Sequence, residues 1–366
     1  PYTQSWSFGF ERQLPWQMVF DADYTGEKGP HLYYGGAGFL DFLPSSYDQL
    51  AQNPGSAANQ ATIATLNGYV NNPFYNVITD PNSDLSGSQL RQWRLDIPFP
   101  EYDNFGQDGA PWAVSSYNAL KLKLQKNMSN DLQLLVSYTF SKSLDDASNN
   151  DYNSSWLGLS SDSLEDPNCL RCEYSVSVFD LPQIFQFSYV YRLPVGRGHW
   201  LGSNWGTWAN ALLGGWQTSG IWRFTDGFPI VIGLAGYENN PLPTYGSQRP
   251  DLLAKPVRGQ GANMLTDFFE NANAAFAQPA EYALGSAPRT LPWIRQPGMA
   301  NANLAAFKTF QISENKSFEF RAEADNALNH VQFGSPDSTF GSSNFGQIFG
   351  TANGPREVQL GLTFQF

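Results

Sequence analysis

Alternation of apolar and polar residues is clearest at the carboxyl end of the chain. Between residues 356 and 366, Val358, Leu360, Leu362, Phe364 and Phe366 are separated by single polar residues or glycine. A period of two predicts a β-strand with one apolar and one polar face. About ten residues is also the length that a tilted strand needs to cross a bilayer.

The same alternation recurs along the chain. In residues 317–328, Phe318 and Phe320 fall on one face, whereas Glu319, Arg321 and Glu323 fall on the other and need water. That face would be the outside of a soluble sandwich or the lumen of a large barrel, and alternation does not choose between them. Seven further segments are predicted as strands: residues 2–11, 16–25, 115–127, 132–143, 183–193, 216–225 and 301–312.

The connections between these strands differ systematically in length. Short links at 12–15, 127–131 and 313–316 alternate with long ones at about 26–114, 144–182, 228–300 and 329–355. Outer-membrane barrels have this asymmetry, with short periplasmic turns and long extracellular loops. We therefore predict an all-β fold, a transmembrane antiparallel β-barrel, with residues 1–366 as the C-terminal part of one barrel domain.

One connection departs from this rule. Residues 195–215 should be periplasmic yet are long, and residues 205–214 could form a short helix. We interpret this segment as an inserted turn at the membrane edge. The neighbouring segment 301–312 also alternates less well, because Lys308 falls on its apolar phase and Phe307 on its polar phase.

The number of predicted strands has a consequence for closure. With nine strands, the first and last both run toward the periplasm and would meet in parallel, whereas bacterial single-chain barrels have even strand numbers. An open edge in lipid leaves backbone groups unsatisfied. We expect further strands from upstream sequence, from a second chain, or from an unrecognised hairpin near residues 228–233.

Composition restricts the class of protein further. Hydrophobic residues make up 41% of the 366 and charged residues only 15%, yet no apolar run is long enough for a helical span. The 27 Phe, 17 Tyr and 11 Trp suit membrane interfaces. A formal charge of −12 argues against a nucleic-acid partner, because phosphate binding needs a positive field.

Few residues offer chemistry, and we predict that the chain is not an enzyme. The three histidines, His31, His199 and His330, are far apart, and no catalytic motif includes them. Cys169 and Cys172 form a lone C-x-x-C, for which a loop disulfide or two free thiols is favoured over zinc or redox chemistry.

A group of acidic residues falls in one predicted external loop. Asp145, Asp146, Asp151 and Asp162 are weak calcium candidates, since calcium prefers oxygen ligands, but their spacing does not match the EF-hand. The default interpretation is solvated negative surface. No cofactor other than calcium is expected.

The chain end carries a second candidate. Phe366, with Phe364 on the same strand face, resembles the terminal aromatic that the barrel-assembly machinery reads in outer-membrane proteins. The alternative is an ordinary core-facing Phe.

Several stretches resemble one family. They are residues 1–7, 11–16, 24–32, 117–124, 136–146, 189–198, 213–220, 320–330 and 332–334, spread over nearly the whole chain in family order. Together they are similar to the C-terminal barrel half of TonB-dependent outer-membrane receptors, in particular the Oar-like branch. The plug and the regulatory-like domain of such receptors precede the barrel and are not matched here.

The resemblance implies a function and partners. It implies a portion of a barrel of about 22 strands in the bacterial outer membrane, importing a peptide, carbohydrate or chelate. The implied partners are outer-membrane lipid, the barrel-assembly machinery, and the TonB complex through N-terminal parts. Two alternatives stay open: a structural barrel protein that transports nothing, and a secreted glycan-binding β-sandwich using Trp93, Trp112 and Trp156.

Overall fold

A computed structural model describes residues 1–34, 38–39, 41–53, 55–103, 105–107, 110–129, 131–148, 164–235, 248–280 and 283–366. The strands are β1 Gln4–Leu14, β2 Met18–Tyr34, β3 Gly38–Phe39, β4 Tyr69–Asn71, β5 Gln89–Arg91, β6 Gly106–Gln107, β7 Ala110–Ser129, β8 Leu132–Asp145, β9 Ser175–Val176, β10 Gln183–Arg192, β11 Trp216–Thr225, β12 Pro229–Ile230, β13 Gly233–Leu234, β14 Asp251–Leu252, β15 Phe276–Ala277, β16 Leu291–Arg295, β17 Met299–Ser313, β18 Lys316–Asp325, β19 Thr339–Phe340 and β20 Glu357–Gln365. The α-helices are α1 Asp48–Gln52, α2 Ala57–Asn67, α3 Trp93–Asp96, α4 Thr207–Leu213, α5 Asn263–Thr266 and α6 Ala272–Ala275. Short 3-10 helices occupy Ser45–Tyr47, Asp84–Ser86 and Leu170–Glu173.

One large antiparallel sheet organises the described chain. Its strands follow the order β1-β2-β7-β8-β10-β11-β17-β18-β20, and the two-residue strand β9 adds to β8. Each of the nine segments predicted from alternation lies on one of these nine long strands. Neighbours in this order are also consecutive long strands of the sequence, so the sheet is an up-and-down meander.

Strands β2 and β7 extend farthest beyond their predicted ends. β2 continues to Tyr34 and β7 begins at Ala110, so the connection between them covers residues 35–109 rather than 26–114. The extension is irregular in register beyond Gly29. Sequence alternation did not reveal it, because residues 26–30 are glycine, charged residues and proline, and ladder hydrogen bonds rather than a period of two hold them in the sheet.

Strands β1 and β20 lie at opposite edges of this sheet. β1 pairs with β2 and β20 pairs with β18, and across the described residues the two edge strands are not paired with each other. The hairpin sought near residues 228–233 does not join the sheet. Its residues fall in β12 and β13, which form separate two-stranded pairs with β16 and β19.

The long connections contain the apolar cores. One cluster, within residues 43–97, is built by Leu43, Leu50, Ile63, Leu66 and Ile97. A second cluster, in the connection after β11, consists of Ile230, Ile232, Phe268, Phe269, Ala275, Phe276, Leu291 and Ile294. Phe340, Phe345 and Ile348 of the connection after β18 pack against it. The four connections between β2 and β7, β8 and β10, β11 and β17, and β18 and β20 lie at the same end of the sheet. We refer to them together as the loop layer.

Helix α2 shows how the loop layer acquires regular structure. Ser56 caps its amino end, where the hydroxyl accepts a hydrogen bond from the Asn59 backbone N–H at 3.2 Å. Ile63 and Leu66, three residues apart, are its buried positions in the first cluster. In the part of the chain that the structure describes, none of the helices is both long and apolar enough to cross a membrane.

Candidate functional site

Strand register aligns the alternation of all nine strands into two opposite faces. Residues directly opposite in an antiparallel pair share a face, so each row of partners can be followed across the sheet. One such row reads Phe10, Ala22, Leu122, Tyr138, Phe185, Phe224 and Ala300. The adjacent row reads Glu11, Asp21, Lys123, Ser137, Gln186, Arg223 and Asn301.

The apolar face is rich in rings that are open to the surroundings. Phe187 stacks on Trp222 at 5.5 Å between ring centroids, and Phe318 lies 4.8 Å from Phe364. Phe8 and Leu362 are 78% and 68% exposed. An apolar surface that spans nine strands is far larger than soluble proteins leave uncovered, so this face requires a non-aqueous environment.

The polar face carries charges that are paired at the surface. Arg321 contacts Glu319 at 3.6 Å and Glu323 at 3.3 Å, and all three side chains are partly exposed. Its guanidinium also covers the ring of Phe307, 4.9 Å from the centroid. The stacking explains how the aromatic ring noted as out of phase is accommodated on a polar surface.

Lys308 is the opposite case, a cation on the apolar face. It is 4% exposed, and its ammonium donates to the carbonyl of Gly214. The nitrogen also lies 5.1 Å from the Phe310 ring centroid and 5.8 Å from that of Trp216. A carbonyl and two ring faces replace water for this amine.

A buried ionic cluster links two of the long connections. Arg249 bonds Glu173 at 2.5 Å and Glu165 at 2.9 Å, and its backbone N–H donates to Glu165. Burial raises the pKa of the Glu165 carboxyl, against the opposing influence of Arg249. Burial lowers the pKa of Arg249, but its two carboxylate partners outweigh this, and the net shift is upward. The pairing therefore favours the charged forms of Arg249 and Glu165, whereas burial disfavours them.

A second set of buried pairs fastens the loop layer to the ends of the long strands. Arg289, which is 2% exposed, forms an ion pair of 2.5 Å with Asp145 at the end of β8 and donates to the Glu173 carbonyl at 2.8 Å. Arg295 forms an ion pair of 2.5 Å with Asp180, just before β10. These contacts position the loop layer relative to the sheet.

Two clefts border the sheet, one at each end. In the loop layer, a cleft of about 320 Å³ is lined by residues that include Asp226, Pro256, Arg258, Trp293 and Arg295. At the short-turn end, a cleft of about 450 Å³ is lined by residues that include Asp131, Arg192, His199, Glu319 and Arg321. The first offers a half-exposed indole beside guanidinium groups, and the second is charged.

The two cysteines lie in the segment that supplies Glu173 to the buried ionic cluster. Cys169 and Cys172 are joined by a disulfide, and Cys169 precedes the 3-10 turn Leu170–Glu173. The last residue of that turn, Glu173, is fully buried against Arg249. The disulfide therefore restrains the segment that supplies one of the buried carboxylates.

The calcium candidates are only partly within the described chain. Asp145 is paired with Arg289, and Asp146 accepts a hydrogen bond from the Val114 N–H at 2.8 Å. Burial raises the pKa of Asp146. Asp151 and Asp162 lie outside the described residues, and the described ones contain no group of three or more metal-ligating side chains.

The remaining candidates lie apart from one another. Phe364 is on the apolar face of β20 and stacks on Phe366, which is 92% exposed, at 5.8 Å. Trp93 packs against the first apolar cluster, so its role is structural. Trp112 lies in β7, and Trp156 is outside the described residues.

Sequence reasoning missed most of the buried cluster. Glu165 follows the acidic residues considered for calcium, and Arg249 and Arg289 have no local sequence pattern. The contacts that reveal these arginines join residues 76 to 144 positions apart. The available indication of buried ion pairs was the presence of arginines inside long connections of a chain in which only 15% of residues are charged.

A comparison with protein families identifies the class of protein to which this chain belongs. The profile of the outer membrane beta barrel domain family matches residues 1–359, so the chain belongs to this family. It is a protein of the bacterial outer membrane, and its exposed apolar face is the surface that such a location requires.

More distant comparisons add less. No curated protein matches the chain. Among solved structures, it is similar to the outer membrane transporter YddB from Escherichia coli, with 7% identity and a TM-score of 0.42. The alignment covers 100% of this chain and 32% of that one, so the chain spans about a third of that protein's length.

Proposed function

We propose that this chain is the wall and external loops of a TonB-dependent type of receptor that imports a nutrient. The observation that carries the proposal is the asymmetry of the two ends of the sheet. One end carries a folded layer fixed by buried ion pairs such as Arg249 with Glu173, whereas most links at the other end are tight turns. A folded loop layer at one end of the polar face of the sheet suits selective binding of a nutrient.

The sheet would be one part of a larger closed barrel of about 22 strands. Support comes from the edge strands β1 and β20, which are not paired with each other across the described residues. In lipid, each backbone group without a hydrogen bond costs on the order of several kcal/mol, so both edges need partner strands. The apolar face would contact lipid and the polar face, with Asp21, Lys123 and Arg321, would line the lumen. The TonB complex would act through N-terminal parts of the receptor.

The loop layer would lie outside the cell and bind the nutrient. Its cleft places Trp293 near Arg258 and Arg295, and an indole beside guanidinium groups suits a peptide carboxylate, a sugar ring or an anionic chelate. Phe364 and Phe366 would be read by the barrel-assembly machinery. The buried carboxylates of Glu165 and Glu173 are paired with Arg249 within the loop layer, and we propose no enzymatic activity.

Nutrient uptake by a deletion strain tests the proposal. The parent and the deletion strain would be grown with defined peptides, oligosaccharides or iron chelates, and depletion from the medium would be followed by mass spectrometry. We expect one class to remain in the medium of the deletion strain and of the parent treated with a protonophore, since TonB-type import needs energy. Restoring the gene should restore depletion.

The same experiment separates the alternative function. If depletion of every class is the same in both strains while the envelope of the deletion strain leaks periplasmic protein, the chain is a structural barrel component and the receptor proposal is wrong. The β-sandwich interpretation does not fit the single large sheet or the family.

A further inference from the structure

The long connection at the short-turn end has an unusual composition. Residues 192–216 contain four tryptophans, Trp200, Trp205, Trp208 and Trp216, in a stretch of 25. Arg192 and Arg197 are present but Asp and Glu are not, although the whole chain has a charge of −12. Aromatic and basic residues without acids are typical of segments that lie at a phospholipid surface.

The connection is held in one conformation by its polar residues. The Asn210 side chain accepts from the Arg197 N–H at 2.7 Å, and the Arg197 guanidinium donates to the Trp205 carbonyl at 2.9 Å and the Thr207 hydroxyl at 3.2 Å. These bonds tie the segment before α4 to the helix itself. The polar groups are therefore directed into the connection.

Large apolar side chains of the same connection remain uncovered. Trp208 is 89% exposed and Leu212, four residues later on the same side of α4, is 64% exposed. Trp200 is 81% exposed, and Leu201 and Leu213 are about half exposed. A structured connection that displays two indoles and three leucines requires a covering surface.

Helix α4 is joined to the apolar face of the sheet. The Trp216 indole N–H donates to the Leu212 carbonyl at 3.0 Å, while its ring meets Phe320 of the apolar face edge-on at 6.1 Å. Lys308, which occupies the same row of that face, donates to the Gly214 carbonyl. The exposed side of α4 thus continues directly from the surface that faces lipid.

We propose that residues 197–216 are an interfacial anchor, in which α4 lies along the phospholipid surface at the short-turn end. Trp208, Leu212 and Leu213 enter the boundary between headgroups and acyl chains, and Arg197 lies at the level of the phosphates. Lys308 then sits beneath the helix, bonded to its carboxyl end, instead of in acyl chains. The inference depends on the outer-membrane location and not on nutrient import.

Depth-dependent fluorescence quenching tests the anchor in the full chain. Trp208→Cys and Leu212→Cys would each be labelled with an environment-sensitive dye without reductant, so that Cys169 and Cys172 stay bonded. The variants, expressed from the complete gene so that the edges of the sheet are paired as proposed, would be reconstituted into vesicles of phosphatidylcholine and phosphatidylglycerol containing lipids with a spin label near the headgroup or deep in the chain. We expect the shallow spin label to quench both positions at least twofold more than aqueous iodide does.

Two matched variants fix the scale. Leu360→Cys, on the apolar face, should be quenched by spin-labelled lipid, and Trp293→Cys, in the loop layer, only by iodide. Heat-modifiable migration would show that each variant is folded. If positions 208 and 212 behave like 293, the anchor does not exist; if 360 also behaves like 293, the lipid-facing surface itself is misassigned and the anchor fails with it.

Discussion

The long-stranded sheet and the loop layer are stabilised in different ways. In the sheet, the large apolar side chains of the apolar face are exposed or half-buried, and the charged residues of the opposite face form partly exposed pairs such as Arg321 with Glu323. In the loop layer, side chains such as Phe268 and Leu43 are fully buried, and the arginines are buried with their carboxylate partners. The comparison shows that the largest fully buried apolar side chains of the described residues lie in the loop layer and not on the nine long strands.

The difference follows from the solvent of each region. A sheet in lipid needs its backbone paired and its outer face apolar, and lipid supplies the rest. A loop layer in water must bury apolar area of its own to offset the ordering of long connections. Buried ion pairs add geometric restraint there, at a desolvation cost that only complete pairing offsets.

The largest effect is expected from the buried pairs. Replacing Arg249→Met leaves the carboxylates of Glu165 and Glu173 buried without their main partner, which should cost about 3–5 kcal/mol. Hydrogen exchange of residues 164–173 would measure opening of the loop layer. Arg321→Met, which breaks a half-exposed pair in the sheet, should cost less than about 1 kcal/mol. Equal losses would contradict the contrast between the two regions.

A somewhat smaller effect is expected from a charge on the apolar face. Leu360→Arg should destabilise the folded protein in vesicles by about 2–4 kcal/mol, because the guanidinium replaces a lipid-facing side chain. The adjacent Gln359→Arg is the control, since it faces Glu323 on the polar side and should change stability little. Urea unfolding followed by tryptophan fluorescence would compare them. A reversed order would mean that the faces are interchanged.

Packing within the sheet gives a third test. A Cβ on Gly220 would lie 2.6 Å from Tyr189 Cε1 and 2.8 Å from Leu304 Cδ2, so Gly220→Ala must displace the tyrosine ring and should cost about 1–3 kcal/mol. At Gly361 the nearest atom would be the Arg321 Cβ at 3.9 Å. Gly361→Ala should therefore be close to neutral in the same unfolding assay. An equal loss of stability at both sites would contradict the expectation that the Tyr189 ring fills the space beside Gly220.

The smallest expected effect is the pH dependence of the loop layer. Burial raises the pKa of Glu165 above its ordinary 4.5, so the folded layer binds this proton more tightly than the unfolded one. Its contribution to stability is therefore greatest in acid and falls as pH rises from about 4.5 through the raised folded pKa. Hydrogen exchange of residues 164–173, corrected for intrinsic rates, should show easier opening at pH 7 than at pH 5.

The control for this prediction is Glu165→Gln, which should flatten the dependence. Burial also raises the pKa of Asp166 and Asp146, so these two carboxyls contribute to the pH dependence with the same sign. An opening free energy that rises with pH in the unmodified protein would show that pairing with Arg249 dominates burial.

Alternation along the chain was enough to predict the nine long strands and the class of protein. Alternation between residues such as Leu360 and Gln359 is a local property with a period of two, so it can be read without knowing any contact. It also marked Lys308 and Phe307 as out of phase, although their partners Gly214 and Arg321 emerged only from strand register.

The fold of the long connections depends on contacts between distant residues that no local pattern predicts. The pairing of Arg249 with Glu173, or of Arg289 with Asp145, joins residues that have no periodic relation, and the choice of partner depends on which connections meet above the sheet. The role of the disulfide also depends on the three-dimensional fold, because the turn that it restrains ends in the buried Glu173. Local alternation carries no information on such long-range pairing, whereas burial of charge makes the pairing obligatory once the fold is formed.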